Sequence, residues 1–149
     1  RFYASRVAKV DADIGRLLDD LRCSGFYPNT WSLFASDHGD MAGEQDLPFK
    51  GPYMYDGVTR VPLVIVPPHP RIGGDHTRGV SPPRHVTPRR TDALCSLIDV
   101  VPTLLDLAGL GERAAELRLP GRSLMPWVLD EERRDDVHDH VHALWHRPA

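Results

Sequence analysis

Two cysteines, Cys23 and Cys95, are all that the 149 residues contain, so no disulfide framework organises this chain. Long apolar runs are also missing. The longest, Val61 to Val66, already contains Pro62 and falls far short of the ~20 residues a membrane helix needs. Positive charge is not in excess: the formal net charge is -3, which removes the usual electrostatic attraction to nucleic acid or an anionic membrane. The basic residues Arg84, Arg89 and Arg90 sit among prolines. They lack the interleaved aromatics on which bases stack, which excludes a nucleic-acid role. No internal repeat and no secretory signal are visible, and the compartment stays open. There is no initiator Met. The chain opens at Arg1 with an amphipathic pattern already running at Phe2, so further sequence upstream is expected.

What is present is ordinary for a globular domain: 41% hydrophobic and 26% charged residues. Phe2, Val7, Val10, Ile14, Leu17, Leu18 and Leu21 recur at three- and four-residue intervals. That spacing predicts an amphipathic helix over residues 2–23, stopped near Gly25. Pro28-Asn29-Thr30 reads as a turn. Residues 31–35 then read as a short strand that ends in Ser36-Asp37-His38-Gly39-Asp40. Polar residues at the carboxyl end of a strand are where α/β sheets place ligand sites.

Residues 40–57, rich in glycine and proline, read as a long ordered loop, a feature that is often functional. A second strand is expected over residues 61–66, apolar on both faces and so buried. Residues 67–93 read as a surface excursion. A helix is expected over residues 99–108, capped by Asp99, with Pro102 in its first turn and Gly109 at its end. Cys23 and Cys95 read as small, partly buried side chains.

Asp37-His38 is the sharpest local feature. Neighbouring side chains at a strand end reach one metal ion if the backbone turns there, and Gly39 permits such a turn. A carboxylate supplies a hard oxygen ligand, while an imidazole suits zinc, manganese or iron better than calcium. The plainer alternative is a turn whose aspartate caps backbone amides.

The wider text resembles one family. Ser36-Asp37-His38-Gly39-Asp40-Met41 is followed by Gly43-Glu44, Phe49-Lys50-Gly51-Pro52, Met54-Tyr55 and Arg60-Val61-Pro62-Leu63. Val10 to Gly15 precedes them, and Ile98 to Gly109 and Gly121 to Leu124 follow. In this order the segments resemble the sulfatase family of the alkaline-phosphatase-like superfamily. The similarity covers most of residues 2–129, and that collinearity is more specific than any one motif.

The resemblance implies that Asp37 and His38 are the family's second pair of metal ligands. It also implies that Lys50 contacts the sulfate ester. In isolation Lys50 would read as a solvated surface lysine. The implied cofactors are one divalent cation, usually calcium, with manganese or magnesium kept open, and a formylglycine nucleophile. That nucleophile is made within Cys/Ser-x-Pro/Ala-x-Arg. Here Cys23 precedes Ser-Gly-Phe and Cys95 precedes Ser-Leu-Ile, so neither fits, and the first pair of metal aspartates has no counterpart. Both belong upstream of Arg1. Where relatives often read Gly-Glu-His-Gly-Leu, this chain has Gly43-Glu44-Gln45-Asp46-Leu47, which removes an imidazole from the loop. Glu44 is read as structural.

His138, His142 and His146 fall at four-residue spacing. On a helix they would share a face and suit a transition metal. The preferred reading is a polar, partly ordered tail, or the truncated start of a C-terminal subdomain, over residues 130–149. Arg60 reads as a buried salt-bridge partner at a strand start.

The fold class expected is α/β: a partial alkaline-phosphatase-like mixed sheet flanked by helices, with residues 1–129 the C-terminal portion of a catalytic domain. The expected function is hydrolysis of a small-molecule sulfate ester as part of a longer protein, with no nucleic acid or membrane as partner. The isolated chain is expected to be inactive. Two alternatives stand beside it: a phosphodiesterase or phosphonate monoester hydrolase of the same superfamily, and a non-catalytic fragment. The alcohol half of the substrate and the oligomeric state are not legible.

Overall fold

The structure, a computed structural model, describes residues 2–68, 86, 88–129 and 136–143. The first element is the long helix α1, Phe2–Cys23, where the three-and-four spacing placed it. Its polar side is laced by Lys9–Asp13 at 3.3 Å, Arg16–Asp13, and Arg22–Asp19 at 2.7 Å. Exposed pairs at this spacing each contribute a few tenths of a kcal/mol. Gly25, with φ of 78°, adopts the left-handed conformation that ends such a helix. A single 3-10 turn, Tyr27–Asn29, leads into the strand β1, Ser32–Ala35.

The loop after β1 holds more structure than its composition suggests. A 3-10 turn forms at Glu44–Asp46, and Asp56–Thr59 makes the one-turn helix α2. The strand β2 then runs over Leu63–Val66, starting after Pro62, which has no amide to give to a ladder. It pairs with β1 antiparallel, in the register Ser32 to Val66, Leu33 to Ile65, Phe34 to Val64 and Ala35 to Leu63.

One face of this pair, formed by Leu33, Ala35, Leu63 and Ile65, is half-buried, whereas Phe34, Val64 and Val66 lie exposed on the other. The expectation of a strand buried on both faces is therefore corrected. Within the described residues this chain supplies cover for one face only.

The second half of the chain forms its own packed cluster. A 3-10 turn at Leu97–Asp99 runs into α3, Val100–Leu107; α4, Gly111–Glu116, and α5, Met125–Leu129, follow. The chief partners of α3 are α4, the 3-10 turn before it and α5, while α1 rests mainly on the turn that follows it. Packing of both long helices on the strands, as expected from the sequence, is thus not the main contact seen.

Asp99 is the knot of this cluster. Fully buried, it accepts the Ser96 amide at 2.8 Å through Oδ2. Through Oδ1 it meets the Arg122 amide at 2.8 Å and His138 Nε2 at 2.7 Å. Its own carbonyl receives the Thr103 hydroxyl at 2.5 Å, and that hydroxyl accepts the Leu124 amide at 2.9 Å. A buried carboxylate without such donors would cost several kcal/mol. Gly121 lets the segment before α5 come this near, because a β-carbon there would stand 2.1 Å from the Ile98 carbonyl oxygen.

Residues 136–143 are held rather than frayed. Val137 is buried, its carbonyl takes Arg122 Nη1 at 2.9 Å, and its amide reaches the Leu94 carbonyl at 3.1 Å. They are not helical, so His138 and His142 do not share a helix face; His146 lies outside the described residues. Arg84 and most of the 67–93 excursion lie outside them as well. Two further expectations are corrected. Arg60 pairs with Asp56 at 3.9 Å but both side chains are exposed, and Cys23 is exposed. Cys95 is half-buried, and that burial, aided by the charge of Asp99, raises its thiol pKa.

Candidate functional site

The site forms where β1 ends. Ser36 donates its hydroxyl to the His38 carbonyl at 2.8 Å. Asp37 Oδ1 accepts the His38 amide at 2.9 Å, and Asp40 Oδ1 accepts the Ala42 amide at 2.8 Å. These are short-range turns of the kind aspartate and serine favour. They leave Asp37 Oδ2 without a role in the turn, on a side chain that is 84% exposed.

The turn is fastened from outside by α2. The Gly39 amide donates to the Val58 carbonyl at 2.8 Å, and a β-carbon on Gly39 would collide with the backbone of Gly57. Met41 is fully buried, and its carbonyl accepts the Glu44 amide at 2.7 Å. The loop above it is tightly coiled, with positive φ at Ala42, Gly43, Gln45 and Asp46. A β-carbon on Gly57 would stand 2.9 Å from Glu44 Oε2, which sets Glu44 beside α2.

The histidine's chemistry follows from its partners. His38 Nδ1 lies 2.8 Å from the Gly39 carbonyl. A carbonyl can only accept, so Nδ1 carries the ring proton. Nε2 then presents a lone pair, and Lys50 Nζ lies 2.6 Å from it. The ammonium is the donor of this bond and Nε2 its acceptor. Asp37 Oδ2 stands 3.5 Å from the same nitrogen. That separation is too long for a hydrogen bond and is not an ion pair while the ring is neutral.

Three predicted site residues, Asp37, His38 and Lys50, are thus brought to one point although Lys50 comes from a loop twelve residues on. Two donor atoms on one cation at ~2.1–2.4 Å, in adjacent positions, lie about 3 Å apart. Asp37 Oδ2 and His38 Nε2, at 3.5 Å, need only a small rotation to meet that. The imidazole is also oriented as metal-bound histidines are, with its second nitrogen donating to a carbonyl. The donor set therefore fits two positions of a cation's shell. Among the described residues no group of three or more His, Cys, Asp or Glu side chains gathers around one point.

The sequence reading missed the clamp that α2 places on Gly39. It had no signal to offer, since a contact between two backbones leaves no side-chain pattern. The expectation that Asp99 caps the following helix is corrected: its side chain makes no cap hydrogen bond to α3 and instead accepts the Ser96 and Arg122 amides and meets His138 from 39 residues away.

A model of the sulfatase family matches residues 1–110. The chain is 37% identical over 137 residues to a choline-sulfatase of Rhizobium meliloti, covering 92% of this chain and 23% of that protein. It is 35% identical over 145 residues to arylsulfatase K of Danio rerio, covering 97% of this chain and 23% of that one. Among solved structures it is similar to one described under the metabolism of multiple glycosaminoglycans by Bacteroides thetaiotaomicron. There the TM-score is 0.67 at 29% identity, over 85% of this chain and 23% of the other. The chain thus spans about a quarter of the length of the relatives it matches.

Proposed function

The chain belongs to the sulfatase family, and on that premise we propose that it carries half of the metal site and the anion-binding lysine of a sulfuric ester hydrolase. The observation behind this reading is the meeting of Asp37 Oδ2, His38 Nε2 and Lys50 Nζ at the end of β1. A strand end fixes the first two, and the loop that follows brings a cation donor to them.

In this reading Asp37 and His38 hold one face of a divalent cation, calcium by family likeness, with manganese or magnesium open because of the imidazole. The ion supplies polarisation of the sulfate oxygens when bound. The remaining ligands come from parts of the protein outside this chain, since hard cations take about six to eight oxygens. The attacking group is also taken from outside, as a hydrated formylglycine. Lys50 contributes a fixed positive charge. Negative charge grows on the bridging oxygen as the ester bond breaks, and an ammonium donor placed there stabilises it more than it stabilises the intact ester. The Gly39 carbonyl holds His38 Nδ1 at 2.8 Å, which leaves Nε2 as the ligating nitrogen.

The test uses the complete protein that carries this chain. Asp37→Ala is expected to lose both bound metal and aryl sulfate hydrolysis. Lys50→Ala is expected to lose hydrolysis while retaining metal. Wild-type metal content and rate in both variants would refute the assignment. Parallel kinetics on an aryl sulfate and an aryl phosphodiester separate sulfatase from phosphodiesterase activity.

A further inference from the structure

We propose that Lys50 and the divalent cation compete for a single lone pair, that of His38 Nε2, so that cation binding is what releases Lys50 toward the substrate. This rests on the metal reading above and adds an order of events to it. The Nδ1 proton is committed to the Gly39 carbonyl at 2.8 Å, which leaves the neutral ring one acceptor site. Lys50 Nζ fills it at 2.6 Å. A metal ion bound to imidazole lies along the same lone-pair direction at roughly 2.0–2.1 Å in the zinc case. The ammonium and the ion cannot both be there.

The consequences follow from the geometry. Without a cation, the ammonium takes its place on His38 and holds the ring in the metal-binding tautomer. When the cation arrives, Nζ loses its acceptor and is also repelled by the ion's charge. Its three hydrogens would then be available to a substrate anion. Lys50 is exposed on a flexible stem, so the displacement needs no backbone movement. Substrate anion and free ammonium thus appear together, and only in the loaded site.

The experiment compares four forms of the complete protein, wild type, Lys50→Met, Lys50→Arg and Asp37→Ala, each stripped of metal by chelation. Binding of Ca2+ and of Mn2+ is read by competition against a chromophoric chelator, and the His38 Nε2 resonance is followed by 15N NMR in the metal-free state. Lys50→Met keeps the side-chain length but removes the competitor. It should tighten cation binding about tenfold, the share of one charge-assisted hydrogen bond partly screened by solvent. It should also shift the Nε2 resonance toward that of an unbonded acceptor. Lys50→Arg, which still donates, should bind cation within about twofold of wild type.

Unchanged or weaker binding in Lys50→Met overturns the competition. So does tighter binding with an unmoved Nε2 resonance, since that pattern is through-space repulsion alone. If in either case Asp37→Ala abolishes cation binding, the metal reading itself stands. If Asp37→Ala binds cation like wild type, both readings fall.

Discussion

Gly39 lies flush against Gly57: a β-carbon on Gly39 would stand 2.0 Å from the Gly57 carbonyl oxygen and 3.0 Å from its carbon. Such contacts do not occur with real side chains, so Gly39→Ala must push the turn away from α2. The Gly39 amide would leave the Val58 carbonyl, and the Gly39 carbonyl that holds His38 Nδ1 would rotate with it. Loss of an outer hydrogen bond on a metal-bound histidine costs about 10–100-fold in affinity. Gly39→Ala in the complete protein should therefore weaken cation binding by that order although neither Asp37 nor His38 is substituted. Wild-type affinity in a variant of unchanged melting temperature would show that the turn does not depend on α2.

Asp99 leads to a prediction about stability. Its carboxylate satisfies two backbone amides and an imidazole in a fully buried setting. Asp99→Ala leaves those donors facing an apolar gap, and each buried unsatisfied group costs roughly 1–3 kcal/mol. The net loss should be about 3–5 kcal/mol, the range for breaking a buried charged network. His138→Ala removes only one of the three donors and should cost less. Chemical denaturation of the complete protein measures both, and an Asp99→Ala loss below that of His138→Ala would contradict the central place of the carboxylate.

Much of this architecture was legible in the residues, and the exceptions share a cause. The stripe from Val7 to Leu21 announced α1, and the apolar run before Asp37 announced β1, because local period and burial act on neighbouring residues. Family likeness singled out Asp37, His38 and Lys50, and the structure sets Asp37 Oδ2 at 3.5 Å and Lys50 Nζ at 2.6 Å from His38 Nε2. What stayed hidden depends on long-range approach. The open face of β2 could not be foreseen from Val64 and Val66, whose apolar side chains look the same whether or not a partner covers them. His138 looked like part of a loose histidine tract because nothing local marks it as the partner of Asp99. The clamp of Gly57 on Gly39 is backbone on backbone, which no side-chain pattern encodes.

The two cysteines should react differently. Cys23 is exposed at the end of α1, whereas Cys95 is half-buried, with its thiol pKa raised by that burial and by the nearby Asp99 charge. A raised pKa lowers the thiolate fraction at any pH below it, and the thiolate is the reactive form. Iodoacetamide near pH 8 should therefore label Cys23 first, at least about tenfold faster than Cys95. The gap should narrow as pH rises and Cys95 ionises. Peptide mapping by mass spectrometry reads both rates; equal labelling at pH 8 would show that Cys95 is open to solvent.

The apolar surface points to what this chain does alone. Val7, Val10 and Leu17 on α1 and Phe34 and Val64 on the strand pair are each at least two-fifths exposed, beyond what scattered surface residues require. The cation half-site offers two side-chain donors against the six to eight oxygens a hard ion takes, about a third of a shell. An isolated chain of these 149 residues should hold calcium no more tightly than about millimolar, the weak end of protein calcium sites. It should also turn over aryl sulfate no faster than its Asp37→Ala variant does. Equilibrium dialysis with radioactive calcium and a chromogenic sulfate assay measure the two quantities. Micromolar calcium binding together with Asp37-dependent turnover in the isolated chain would mean that this chain completes the site unaided, and the division of the metal shell between this chain and the rest of the protein would have to be abandoned.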